Sequence, residues 1–162
     1  GTVGLMMAKI LKVKDQQSLK CAVDLGIAMQ LTNIARDVVE DKKRNRTYIK
    51  NDFNSINETV VLADIFYQSS FPAIKHIPIF SRFAILVARR IYKKIGNEIM
   101  SQKNIETYSN AGKIYVTNLN KLIETFLSFF DFLKLFFIDS SKKKKQNEHI
   151  MLHKEINLDE RI

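Results

Sequence analysis

The stretch Asp24-Leu25-Gly26-Ile27-Ala28-Met29-Gln30-Leu31-Thr32-Asn33-Ile34-Ala35-Arg36-Asp37-Val38-Val39-Glu40-Asp41 decides how this chain is read. It holds no proline, Gly26 is its only glycine, and its apolar residues recur at helical rather than alternating spacing, so it predicts an α-helix. Extended both ways, that helix is expected to run unbroken from about Gln16 to Lys43. It should stop in the basic, turn-prone run Lys42-Lys43-Arg44-Asn45-Arg46. Gln30, Asn33, Asp37 and Asp41 follow at spacings of three, four and four, which puts them on one stripe. Leu25, Ile27, Leu31, Ile34, Ala35, Val38 and Val39 cover the other sides, so the helix should be deeply packed and its polar stripe should face an internal cavity.

A solvated stripe is the ordinary reading of two aspartates four residues apart, but its composition is wrong here. Between Cys21 and Val39 there is no lysine and no glutamate, and Arg36 is the only basic residue. Solvated helix faces draw on those long side chains; this one carries short oxygen donors instead. Asp37 and Asp41 repel each other as an i, i+4 pair, and a bound cation would reverse that sign. Magnesium suits the donor set, because it is held by one or two carboxylates while phosphate and water complete its shell. Arg36, Arg44 and Arg46 lie beside those carboxylates, and guanidinium pairs with phosphate oxygens in bidentate fashion. The cofactor expected is therefore Mg2+, with Mn2+ as the alternative, at a metal–diphosphate site.

Outside this helix the chain continues to read as all-α. Its 162 residues include five glycines and two prolines, with 46% hydrophobic and 27% charged residues, as in a single globular domain. Val3, Met6, Met7 and Ile10 share a helical face that breaks at Lys12 to Asp15. Asn51 to Asn57 reads as loop, Glu58 to Tyr67 as helix, and Ser81 as the N-cap of a helix reaching about Ser101. A last helix is expected from about Gly112 to Ile138. Leu122 to Ile138 carries six phenylalanines, but Glu124, Asp131 and Lys134 interrupt it, and it is too short to span a membrane. Burial in a bundle is the expectation for Phe126, Phe129, Phe130 and Leu133. Residues 1–138 thus form one domain, and 139–162 a polar, basic, loosely ordered tail.

The net charge is +9, yet Lys142 to Lys145 alone supply four charges, and no basic stripe interleaved with aromatics precedes them. No nucleic-acid partner is expected. Cys21 is the single cysteine, so no internal disulfide is possible and it reads as a packing residue in a reducing compartment. His149 and His153 have metal-like spacing with Glu155 nearby, which reads as chance without a third fixed ligand, and His76 reads as a loop residue.

Three further strings accompany the opening stretch: Gly1-Thr2-Val3-Gly4-Leu5-Met6-Met7, Asn45-Arg46-Thr47-Tyr48-Ile49 and Ala88-Arg89-Arg90-Ile91-Tyr92. Together these resemble the squalene/phytoene synthase family, with Gln30 to Asp41 similar to its second aspartate-rich motif and the likeness reaching about Lys113. The resemblance implies an all-α helical bundle of the isoprenoid synthase type. It implies head-to-head condensation of two prenyl diphosphates through a cyclopropyl intermediate, with geranylgeranyl diphosphate as the first choice of substrate. A squalene- or dehydrosqualene-type reaction on farnesyl diphosphate, or a non-catalytic relative serving in assembly, are the alternatives. It implies that Asn33, Asp37 and Asp41 ligate the metal, that Arg36, Arg46 and Tyr48 face the diphosphates, and that Gln30 and Tyr92 line the reaction centre. Val3, Gly4, Met7, Ala22, Gly26 and Met29 would line the prenyl tail channel; close helix packing is the competing reading of the glycines and alanine. The family pattern has a proline where Lys50 stands, and a fuller basic cluster where this chain has Ser109-Asn110-Ala111-Gly112-Lys113. Its first aspartate-rich motif has no counterpart here, so the chain is expected to be a C-terminal part, lacking the N-terminal helices of the domain and dependent on them for activity. A cytoplasmic protein, peripheral to a membrane surface that receives the product, completes the expectation.

Overall fold

The structure is a computed structural model and describes residues 1–138. All regular structure among them is helical: α1 (Thr2–Ile10), α2 (Gln16–Arg36), α3 (Val38–Lys43), α4 (Phe53–Ser70), a 3-10 segment (Phe71–His76), α5 (Ile79–Met100), α6 (Ile105–Asn110) and α7 (Asn118–Phe137). The basic tail with Lys142 to Lys145, and the pair His149 and His153 with Glu155, lie outside the described residues.

Side-chain caps set several of these boundaries. Asp15, Asp52, Asn104 and Thr117 each accept a hydrogen bond from the backbone N–H three residues on, starting α2, α4, α6 and α7. Each such cap is worth about 1 kcal/mol. The Asp52 cap begins α4 at Phe53, so most of the segment read as loop is the first turn of a helix. Likewise α5 starts at Ile79 after Pro78 rather than at an N-cap Ser81. The last helix starts only at Asn118, because residues 111–117 carry no helix and Gly112 adopts φ +66° there.

Helix α2 is the centre of the packing and touches α1, α4, α5 and the 3-10 segment. At one end Leu5, Ala8, Val13, Leu19 and Val23 form a buried cluster, and Ala28, Ala63, Phe66 and Tyr67 fill the middle. At the other end Ala35, Val38, Ile56, Ile95, Ile99 and Tyr108 close around the start of α3.

Helix α7 corrects a sequence expectation. Phe126, Phe129, Phe130 and Leu133 are 66%, 50%, 49% and 41% exposed, not buried. The helix packs chiefly on α5 and the 3-10 segment, and it does so through Ser128, Asp131 and Leu135. Arg90 of α5 donates to Glu124 and to Asp131, both at 2.8 Å, while Leu135 joins Ile74 and Leu86. Two of the three polar residues that seemed to interrupt an apolar helix, Glu124 and Asp131, lie on its inward face, while Lys134 is exposed. Among the described residues no helix is long and apolar enough to cross a membrane.

Candidate functional site

A cleft of about 340 Å³ opens between α1, α2, the 3-10 segment and α5. Val3, Gly4, Met7, Ala22, Gly26 and Met29, the residues read as a tail channel, all line it, together with Gln30, Asn33 and Tyr92. Leu25, Ile85 and Ala88 extend its aliphatic wall, and buried Cys21 belongs to the same wall. Two of the small residues have a second role. A Cβ on Gly4 would lie 2.0 Å from the Ala22 carbonyl oxygen, and one on Gly26 would lie 3.1 Å from the Gly4 nitrogen. The close-packing reading therefore holds for both glycines: the α1 and α2 backbones touch there, and the cleft forms beside the contact.

Asn33 brings a polar atom to this apolar wall. Its Oδ1 is buried and has no hydrogen-bond partner, which costs about 1–3 kcal/mol unless a ligand repays it. Gln30 and Tyr92 flank it, the first exposed and the second half-buried.

One turn on, the long helix is interrupted. Asp37 adopts φ −103°, ψ 13°, ending α2 and preceding α3, so Asp37 and Asp41 do not share one continuous helix as the spacing predicted. The cause is Tyr108. Its hydroxyl lies 2.8 Å from the carbonyl oxygens of both Ala35 and Arg36, to which it donates. A side chain inserted into the hydrogen-bond ladder breaks a helix locally. The ladder resumes where the Asp41 N–H donates to the Asp37 carbonyl at 2.7 Å. Burial pushes the Tyr108 phenol up to about 12, so it keeps its proton.

Asp37 is engaged by its neighbour. Arg36 Nε and Nη2 donate to Asp37 Oδ1 and Oδ2, both at 2.8 Å, and Lys113 Nζ stands 3.7 Å from Oδ1 and 3.3 Å from Glu40 Oε2. The Arg36 hydrogen bonds hold the Asp37 carboxyl below the usual carboxylate range, against the opposing effect of burial. Asp41 lines a separate hollow of about 80 Å³ with Arg46 and Tyr48, which Asp37 does not reach. The two carboxylates thus do not open into one shared cavity as expected. Arg46 and Tyr48 are exposed. Among the described residues no three His, Cys, Asp or Glu side chains converge as a metal cluster.

Three participants carried little sequence signal. Lys113 registered only as the remnant of a basic cluster, Glu40 as part of a motif, and Tyr108 not at all. A lone aromatic in the polar run Ile105-Glu106-Thr107-Tyr108-Ser109 was the available clue.

Comparison with known proteins agrees with these features. Residues 1–54 match the squalene/phytoene synthase family profile. The chain is 36% identical over 121 residues to a 15-cis-phytoene synthase of Enterobacter agglomerans, covering 62% of this chain and 41% of that one. It is 36% identical over 117 residues to a 15-cis-phytoene synthase of Paracoccus sp., covering 61% and 38%. A chloroplastic phytoene synthase of an Oncidium hybrid cultivar is 30% identical over 151 residues, covering 76% and 36%. No solved structure gives a significant match. The chain spans about two fifths of the length of the bacterial relatives it matches. The described residues of the chain are thus all-α, and about three fifths of the chain is similar to part of the bacterial phytoene synthases.

Proposed function

We propose that this chain supplies the second metal–diphosphate motif and part of the tail channel of a prenyltransferase that condenses two geranylgeranyl diphosphates head to head. The product would be phytoene, formed through a cyclopropyl (prephytoene) diphosphate in carotenoid biosynthesis. The observation that carries this reading is the meeting of an apolar cleft with an unpaired, buried oxygen, Asn33 Oδ1, one turn from Asp37. A hydrocarbon tail suits the cleft, and its charged head would then lie toward Asn33, Asp37 and Asp41.

The donor set fits magnesium, or manganese in its place: an amide oxygen without a partner and two carboxylates, all hard oxygen ligands. Bound there, the metal would neutralise diphosphate charge and favour departure of the leaving group. The protein's own groups do the rest. Arg36 already makes a bidentate contact to a carboxylate and can make the same contact to phosphate. Arg46 and Tyr48 beside Asp41, and Lys113 beside Asp37, could meet the remaining oxygens. The walls from Val3 to Met29 would exclude water that would quench an allylic cation, and Gln30 and Tyr92 line the same cleft. Because the product is a hydrocarbon, a membrane surface is its proposed destination and a cytoplasmic, peripheral protein its proposed source.

The chain spans about two fifths of its relatives, so condensation is assigned to a polypeptide in which these helices stand beside the remainder of a synthase. The test fuses residues 1–138 to the N-terminal part of a bacterial relative and supplies geranylgeranyl diphosphate with magnesium. Phytoene is expected from the fusion, and binding without condensation from the 162-residue chain alone. Product from farnesyl diphosphate only would overturn the substrate assignment. Asp37→Asn should remove most magnesium-dependent turnover; unchanged turnover at limiting magnesium would refute the metal role.

A further inference from the structure

Tyr108 is 2% exposed, its ring packed among Ala35, Val38, Ile95 and Ile99, and its hydroxyl is the only side-chain group recorded against the broken ladder at Asp37 among the described residues. An unbroken helix has ψ near −42°; at Asp37 ψ is 13°, a rotation of roughly 55° about one bond. That rotation redirects Asp37 relative to Asp41. The same segment supplies Lys113, which reaches the Asp37 carboxylate and Glu40. Residues 108–113 therefore hold the backbone of the motif by a hydroxyl and its side chain by an ammonium. We infer that Tyr108 is a positioning residue for the metal–diphosphate site, its hydroxyl wedging α2 from α3 to set the angle between the Asp37 and Asp41 carboxylates.

This inference rests on the reading of Asp37 and Asp41 as metal–diphosphate residues, and the experiment separates the two. The full 162-residue chain is titrated calorimetrically with inorganic pyrophosphate in the presence of Mg2+, as wild type, Tyr108→Phe and Ile99→Val. The first variant keeps the ring and removes the hydroxyl. The second loosens the same buried cluster without touching the kink, and so controls for lost stability. Tyr108→Phe is expected to weaken binding by about tenfold or more, the size of effect that supporting groups have on metal affinity. Ile99→Val should bind as wild type does. Without metal, the amide resonances of residues 36–39 should move in Tyr108→Phe and not in Ile99→Val. Equal affinity in wild type and Tyr108→Phe overturns the positioning role, and so does an equal loss in both variants, which would make Tyr108 a packing residue. A wild type that binds no pyrophosphate overturns the site reading itself, and the role of Tyr108 with it. If Tyr108→Phe does not fold, 3-fluorotyrosine at position 108 keeps ring and hydroxyl while altering the hydrogen bond; unchanged affinity there also overturns the inference.

Discussion

Replacing Gly4 by alanine sets two effects of opposite sign against each other. Alanine favours a helix over glycine by about 1 kcal/mol, which would stabilise α1. The added Cβ, however, would stand 2.0 Å from the Ala22 carbonyl oxygen, 3.0 Å from its carbon and 3.2 Å from the Gly26 nitrogen. Close carbon–oxygen contacts lie at about 3.3 Å, so α1 must retreat by more than about 1 Å. All three obstacles are backbone atoms of α2, which cannot swing aside as a side chain would. Retreat loosens Leu5 and Ala8 from the cluster with Leu19 and Val23, and burial of a leucine is worth about 2 kcal/mol. With overpacking adding about 1 kcal/mol, the gross cost is about 3 kcal/mol and the net loss about 2 kcal/mol. For a chain of this size that lowers the thermal midpoint by about 4 to 8 °C, read by far-ultraviolet circular dichroism. Met6→Ala, on the exposed side of the same helix, should change the midpoint little. A Gly4→Ala midpoint equal to or above wild type would refute backbone contact between α1 and α2, because helix propensity alone would then prevail.

Asn33→Leu should raise stability by about 1 kcal/mol in urea titrations by removing the unpaired buried Oδ1, while weakening pyrophosphate–magnesium binding; a loss of stability would mean that the oxygen has a partner in the folded chain. The carboxyls of Asp15, Asp37 and Asp52 are held below the ordinary carboxylate range by hydrogen bonds from Ser18, Arg36 and Ser55. A depressed folded-state pKa contributes stability that is complete above about pH 4 and is lost as pH falls through the lowered values. The urea midpoint should therefore drop below pH 4, and the triple Asp→Asn variant should show a shallower acid limb. On α7, Phe126→Ser and Phe129→Ser should each change unfolding free energy by less than about 1 kcal/mol, whereas Leu135→Ala should cost about 2–5 kcal/mol. Equal costs would place the phenylalanines in the core.

The aspartate motif and its helical setting were legible because they are local. Spacings of three and four fix which residues share a helix face whatever surrounds it, and an absence of lysine and glutamate marks a face turned away from water. The six residues read as a tail channel came from likeness to a family rather than from spacing, and all six line one cleft. What spacing could not give was the course of the backbone through Asp37. An ideal helix continues past that residue; the interruption comes from Tyr108, a residue 71 positions away.

The burial of α7 was illegible for a related reason. Its apolar residues surround the helix, so hydrophobicity alone names no inward face, and Arg90 on α5 selects the side that carries Glu124 and Asp131. The amino-acid sequence by itself determined an all-α chain, its central helix and the order of oxygen donors along it, because these follow from residue type and local periodicity. Tertiary structure alone decided that Gly4 and Gly26 bring two backbones together, that Asp37 leaves the helix line, and that α7 turns Phe126, Phe129 and Phe130 outward. Each depends on a contact with a residue distant in the chain, and such contacts leave no periodic trace.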